Sequence, residues 1–392
     1  MLFRQLCLVV VCLLALGGCA TRPVDSLPLD TLWQDATFQY QPTLVIETRE
    51  TLFALDDAVK QSLRTDRSAG DDMERRLDVL LARLYGPDGI RLSYSSGHST
   101  SAAQTWHNKR GDCLSLTILV YAAAQYLHIP AHMQEVQVPL AVDRHDGVDF
   151  INGHVNVFVR NDGDVSINRQ SFGSGGLIID FEPQAGSRRS GVWLTEEAIL
   201  ARFYNNKASE YLVQKDDVRA YAYYRAALAK QADYAPAYTN LAQLYARHHL
   251  LVPAERLLQY AIAIGGQSYA PLRTMQALLR SQGRETEAQV FADQLAKRQN
   301  EDPYYWMGLG IAALQSGRNL QAIQSLERAA ALTTGFEELH FHLGVAYWRD
   351  GQMDAARKQL AAMNAINDRD PDVAVLSKKL QHVAPRGVVT QH

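Results

Sequence analysis

The sequence predicts an α+β domain followed by an all-α solenoid of helical hairpins, and three observations carry that expectation. Five alanines, Ala220, Ala254, Ala288, Ala322 and Ala356, recur at intervals of 34 residues. Residues 113–127 are apolar almost all round, through Leu114, Leu116, Ile118, Leu119, Val120 and Ala122 to Ala124, and a helix without a polar face is a buried one. Residues 153–159 alternate Val155, Val157 and Val159 with His154, Asn156 and Phe158, the period of a strand. Mixed elements therefore come first and purely helical ones after them.

The N-terminus pairs Arg4 with an apolar stretch over residues 6–16 that ends in Leu16-Gly17-Gly18-Cys19. A charged start, a short apolar core and small residues before a cut are the parts of an export signal. The apolar core is shorter than the ~20 residues needed to span a bilayer. Leu-Gly-Gly-Cys resembles the lipobox of bacterial lipoproteins, which implies lipidation of Cys19, removal of residues 1–18 and a body held at a membrane by acyl chains. Ala20 stands where an aspartate often retains such proteins at the inner membrane, so the expected destination is the periplasmic face of a bacterial membrane, the outer one favoured and the inner one left open. Residues 19–45, with Pro23, Pro28 and Pro42, are expected to form the lipidated cysteine and a tether.

A formal charge of −3 over 392 residues, with no long Lys/Arg run, excludes nucleic acid as a partner. Of the four cysteines, Cys7 and Cys12 fall in the signal and Cys19 at the lipidation site, which leaves Cys113. One leftover thiol in an exported chain is either a small buried hydrophobe or a nucleophile. With no C-x-x-C pair and no EF-hand spacing, neither a metal nor another cofactor is expected.

In the helical half, repeat starts at Ala201, Ala235, Tyr269, Pro303 and Glu337 put the alanines at position twenty of each repeat. Position eight reads Ala208, Ala242, Gln276, Gly310 and Gly344, and Gly283, Gly317 and Gly351 fall at position fifteen, a turn needing tolerance of positive φ. Small residues let two antiparallel helices approach, and larger ones fill the gaps between hairpins. The repeat at Tyr269, with Gln276 at the close-packed position, departs most. The pattern, with Trp306-Met307-Gly308-Leu309-Gly310 close to a W-x-x-L-G opening, resembles the tetratricopeptide repeat. That resemblance implies five hairpins over residues 201–370, a capping helix over 371–382, a tail over 383–392, and a face that binds a protein or peptide. Asn240 resembles an asparagine with which some such arrays hold peptide backbone.

In the first half, residues 46–200, helices are expected over 50–63 and 71–85, the second ended by Gly86-Pro87-Asp88-Gly89. Asp112 is a good N-cap, which sets Cys113 in the first turn of the buried helix, where free N–H groups and the helix dipole favour a thiolate. That placement is the architecture of papain-like thiol enzymes. Arg110-Gly111-Asp112-Cys113, the alanine-rich helix and His128-Ile129-Pro130-Ala131-His132 together resemble the transglutaminase-like superfamily, in which R-G-x-C opens the helix and a G-I-P-A-R-like turn closes it. Here His128 replaces the glycine and His132 the arginine. The resemblance implies a Cys-His-Asp triad of Cys113, His154 and Asp180, the last from Leu177-Ile178-Ile179-Asp180-Phe181-Glu182-Pro183. Residues 161–176 form a polar insertion relative to the family's spacing. His132 and His145 rival His154, and Asp162 and Asp164 rival Asp180. Trp106 is a candidate for the acyl-binding cleft, and Gln104 or the Cys113 backbone N–H for the oxyanion. The implied chemistry is attack of a thiolate on an amide or other acyl carbonyl, with water (peptidase or amidase) or an amine (acyl transfer) resolving the thioester. The competing expectation is a non-catalytic envelope scaffold in which the first domain is a binding module.

Overall fold

The structure, a computed structural model, describes residues 29–64, 72–86, 89–95, 97–136, 143–145, 148–150, 154–160, 176–181, 191–266, 268–333, 337–366 and 371–381. The chain divides into two compact units, residues 1–34 and 35–392. In the first, the described residues hold a 3-10 turn, Leu29–Thr31. The export signal and the lipidated Cys19 lie outside the described residues, as do Asp162, Asp164 and most of the 161–176 insertion. Among the described residues no helix is long and apolar enough to cross a membrane.

The second unit is mostly helical, with a small antiparallel sheet in its N-terminal part. The helix expected over 50–63 is two short ones, α1 (Arg49–Phe53) and α2 (Asp57–Ser62). The break has a local cause: the Asp56 side chain accepts from the Val59 N–H at 3.0 Å and starts a new helix. Helix α3 (Met73–Tyr85) is capped by Asp72 and stops at Gly86. Strand β1 (Ser93–Tyr94) pairs in parallel with β2 (Arg110–Gly111), on either side of α4 (Ala102–Asn108). Helix α5 (Cys113–Tyr126) follows at once, buried along almost its whole surface.

After α5 come β3 (Ala131–Val136), a two-stranded ribbon of β4 (Asp143–His145) and β5 (Val148–Phe150), then β6 (His154–Arg160), β7 (Gly176–Ile179) and β8 (Val192–Leu194). The sheet order is β7-β6-β3-β8, antiparallel throughout. Ala131 pairs with Val159, Met133 with Val157 and Glu135 with Val155, so the valines of β6 share a face with Ala131 and Met133. Period-two alternation puts Gln134, His154 and Asn156 on the other face. His128, where the resembling family has glycine, stands at φ +53° between α5 and β3.

Five hairpins follow: α6 (Glu196–Val213) with α7 (Asp217–Lys230), α8 (Ala235–Arg247) with α9 (Leu251–Ile264), α10 (Ala270–Ser281) with α11 (Glu285–Glu301), α12 (Pro303–Gln315) with α13 (Asn319–Leu332), and α14 (Glu337–Arg349) with α15 (Met353–Ile366). Helix α16 (Pro371–Leu380) covers the end, where Leu376 is fully buried. All five alanines at position twenty are buried at the helix contacts. Position fifteen is left-handed in every hairpin: Gly283, Gly317 and Gly351 lie at φ +71°, +72° and +81°, and Lys215 and His249 occupy the same conformation at +63° and +57°. The third hairpin packs most thinly, since in α11 only Ala288 is buried.

Residues 35–45, expected in a tether, are docked instead. Phe38 is buried and stacks on Tyr221 at 4.6 Å and Tyr245 at 5.8 Å. Asp35 accepts from Tyr221 Oη at 2.7 Å and pairs with Arg225, whose guanidinium also lies over the Tyr40 ring. Glu47 closes the strap, its carboxylate bonded by Tyr223 Oη and its carbonyl by Tyr204 Oη. Burying one such phenylalanine contributes about 1.5–3 kcal/mol, which outweighs a polar composition that reads as linker.

Candidate functional site

Cys113 is in no disulfide and is partly exposed, at the first position of α5. Asp112 starts the helix: its Oδ1 accepts from the Ser115 N–H at 2.7 Å and from Ser115 Oγ at 2.5 Å. The glycine before it is required by close approach, because a Cβ on Gly111 would lie 2.8 Å from Ser115 Cβ. One turn along α5, Thr117 Oγ1 donates to the Val155 carbonyl at 3.2 Å. Residues four apart share a helix face, about 6 Å apart along the axis. The start of α5 therefore sits beside the start of β6, where His154 is the first residue.

His154 is 3% exposed. Its Nε2 and Asp180 Oδ2 are 2.6 Å apart, and Asn156 Nδ2 donates to the same oxygen at 3.2 Å. The Asn156 carbonyl in turn accepts from Gln134 Nε2 at 2.8 Å, and Gln134 Oε1 accepts from the Gly191 N–H at 2.9 Å. This polar ladder runs from the residue after β7 through β6 and β3 to the residue before β8, with its strand members on the face opposite the valines. A buried carboxylate costs several kcal/mol unless donors satisfy it, and here a histidine and an amide do so. With Nε2 engaged by Asp180, Nδ1 is the ring nitrogen left for proton transfer to another group.

Of the rival histidines, His132 is exposed on β3 and its ring packs against Trp193 at 4.8 Å. His145 belongs to the β4–β5 ribbon, a sheet separate from the four-stranded one. Trp106 is buried in α4. Gln104 is exposed, and its Oε1 accepts from the Ser101 N–H at 3.1 Å in a capping box at the start of α4.

On the valine face, Glu135 of β3 pairs with Arg202 of α6 at 2.7 Å, and the Arg202 guanidinium stacks 4.7 Å from the centre of the Tyr234 ring. Burial raises the Tyr234 hydroxyl above its ordinary range; Arg202 opposes that rise, and negative charge on Glu135 or Cys113 adds to it. Burial opposes the charge on Arg202, but Tyr234 and Glu135 outweigh it and hold the guanidinium charged. Cys113, Glu135 and Arg202 thus each lie within electrostatic reach of Tyr234. Sequence reasoning missed Gln134, Asn156, Glu135, Arg202 and Tyr234. The alternation Gln134, Val136 and His154, Asn156 was a usable signal for the first two, whereas Arg202 and Tyr234 sit among repeat residues with no distinguishing pattern.

Asn240 is not the peptide clamp its sequence context suggests. It is fully buried and its Nδ2 donates to Asn205 Oδ1 at 3.0 Å, so its amide joins two hairpins.

Residues 313–380 match the family model of the tetratricopeptide repeat, and the C-terminal part of the chain is a region of such repeats. No curated protein matches the chain. Among solved structures, the chain is similar over 46% of its length to the crystal structure of YrrB, described as a TPR protein with an unusual peptide-binding site, covering 92% of that chain at 19% identity with a TM-score of 0.24. It is similar over 47% of its length to pilF of Pseudomonas aeruginosa, covering 85% of that chain at 17% identity with a TM-score of 0.26. A thermophilic TPR protein of Thermus thermophilus is covered completely by 46% of this chain, at 17% identity and a TM-score of 0.25.

Proposed function

We propose that the chain is a lipid-anchored thiol enzyme of the transglutaminase-like superfamily at the periplasmic face of a bacterial membrane, acting on an amide or other acyl carbonyl, with its repeats holding a protein or peptide partner. The observation that carries this reading is the buried 2.6 Å His154–Asp180 pair on a strand whose start lies beside the helix opened by Cys113. In the proposed reaction His154 Nδ1 takes the Cys113 proton, and the thiolate attacks the carbonyl carbon. Asp180 stabilises the resulting imidazolium through Nε2. As the tetrahedral adduct collapses, the C–N bond breaks, the leaving amine takes the proton from Nδ1, and a Cys113 thioester remains. Water, deprotonated by the same nitrogen, releases the acid; an amine in its place gives a new amide. The Cys113 N–H, at the first position of α5, is the donor assigned to the developing oxyanion in this reading. Hydrolysis is the primary reading.

The test is the rate of Cys113 alkylation by iodoacetamide against pH, read at the Cys113 peptide by mass spectrometry, in wild type and His154→Ala. The expected result is rapid alkylation persisting well below the ordinary thiol value of about 8.5 and lost in the variant. Slow alkylation that rises only above neutral pH, and is indifferent to residue 154, points to a structural cysteine. The repeat region at residues 313–380 favours a second reading for that case, an envelope scaffold whose first domain only binds.

A further inference from the structure

Helix α6 opens the repeat array, yet much of what it buries is polar: Arg202, Asn205, Asn206, Ser209 and Glu210. Buried polar groups need partners; Arg202 pairs with Glu135, and the other four divide into two sets. Asn205 and Ser209 turn toward the following helices, the first accepting from Asn240 and the second bonded to Tyr224 Oη at 3.0 Å. Asn206 and Glu210 turn the other way, toward the loop before α4 and the cap of α5. Glu210 Oε1 accepts from the Ser99 N–H at 2.6 Å, and its Oε2 lies 2.8 Å from His98 Nδ1 and 2.7 Å from Lys207 Nζ. Asn206 Nδ2 donates to Ser99 Oγ at 3.0 Å and toward Asp112 Oδ2 at 3.4 Å, while Ser99 Oγ donates to that same Oδ2 at 2.5 Å.

An N-cap needs only one oxygen, the one that accepts from the third helical N–H. Asp112 uses Oδ1 for that, and its second oxygen is gripped through Ser99 by α6. Thr100 strengthens the grip by donating its N–H to Ser115 Oγ at 2.9 Å. Asn206 Oδ1 is buried without a hydrogen-bond partner among the described residues. That orphan costs about 1–3 kcal/mol. Flipping the amide brings no relief, because it aims the oxygen at the Asp112 carboxylate.

We propose that Asn206 and Glu210 are positioning residues for Cys113: the first repeat hairpin sets the start of α5, and the repeat array is thereby part of the thiol site. The inference rests on the reading of Cys113 as a nucleophile. A displacement of about 1 Å at a reacting atom is enough to cost on the order of a hundredfold in rate, and the cap is what fixes the first turn. The charged and titratable groups on the elements packed about that turn include Asp112 beside it, Arg110 on β2, Glu135 on β3, His154 on β6, His98 in the loop, Arg202, Lys207 and Glu210 on α6, and Tyr234 before α8.

The test uses the full chain. Asn206→Leu keeps the branched shape and removes both hydrogen bonds; the expected result is roughly tenfold slower Cys113 alkylation at pH 6.5 and a reactive limb moved up by about one pH unit. Asn206→Ser, which retains a hydroxyl donor, is expected to recover part of the rate. A folded Leu variant with the wild-type profile overturns the proposal. If the Leu variant does not fold, amide hydrogen exchange of the wild type decides: Ser99, Thr100 and Ser115 exchanging in step with α6 supports the link, and their exchange as a separate, faster unit overturns it. A wild-type Cys113 that is unreactive below neutral pH overturns the nucleophile reading itself, and is recognised before any variant is made.

Discussion

Asp180→Asn separates the charge of the candidate site from its geometry. Both His154 Nε2 and Asn156 Nδ2 are directed at the single oxygen Oδ2, so the asparagine carbonyl, placed there, receives both of these bonds while the negative charge is lost. A hydrogen bond to a charged group contributes about 1.5–3 kcal/mol and a neutral one about 0.5–1.5. The difference, about 1–1.5 kcal/mol, lowers the population of the imidazolium partner of a Cys113 thiolate about tenfold. The assay is Cys113 alkylation between pH 5 and 9, with a urea titration alongside to show that the variant is folded. The low-pH limb is expected to fall about tenfold in Asp180→Asn. In Asp180→Ala, where the two donors lose their acceptor altogether, it should fall further and the urea midpoint with it. An unchanged profile in a folded Asp180→Asn protein refutes the claim that this carboxylate supports proton transfer to His154.

Two further outcomes follow from the fold. At position fifteen, Gly317→Ala is expected to lower stability by about 1–2 kcal/mol, because an L side chain at φ +72° meets its own backbone. Lys215→Gly and His249→Gly are expected to gain a few tenths to 1 kcal/mol, the relief being partly offset by a freer unfolded chain; urea midpoints measure all three. The strap is expected to loosen in acid. Burial raises the Asp35 carboxyl, but hydrogen bonds from Arg225 and Tyr221 and the Arg225 charge outweigh it and hold Asp35 below the usual range. A lowered folded value means stability that is full above the unfolded value of about 3.9 and lost as pH falls through the folded one. The half-exposed pair is worth only about 0.2–1 kcal/mol. Pepsin cleavage near residues 35–48 is therefore expected to accelerate below about pH 4, and Asp35→Asn should abolish that acceleration.

The repeat half was legible because its information is periodic. Alanines 34 residues apart, and glycines at the same turn, report one local packing rule repeated along the chain. The two positions where the rule is obeyed by an unexpected residue, Lys215 and His249, escaped because composition marks a left-handed turn only when glycine is there. The Asp112 cap was legible for a similar reason, since a cap and its helix are adjacent in sequence. The helix over 50–63 misled, because the apolar period continues across Asp56 while the Asp56 side chain restarts the backbone.

The sequence by itself determined the order of elements, the hairpin register and the placement of Cys113 at the start of a buried helix, since each depends on neighbours within a few residues or on a fixed period. Only the tertiary structure decided that Asp180 meets His154 across 26 positions, that Phe38 leaves a tether-like segment to stack on Tyr221, and that Asn206 and Glu210 of a repeat helix reach the cap of α5. These contacts join groups far apart in the chain, and their energy comes from burying a ring or satisfying a buried polar atom in a place that exists only after folding.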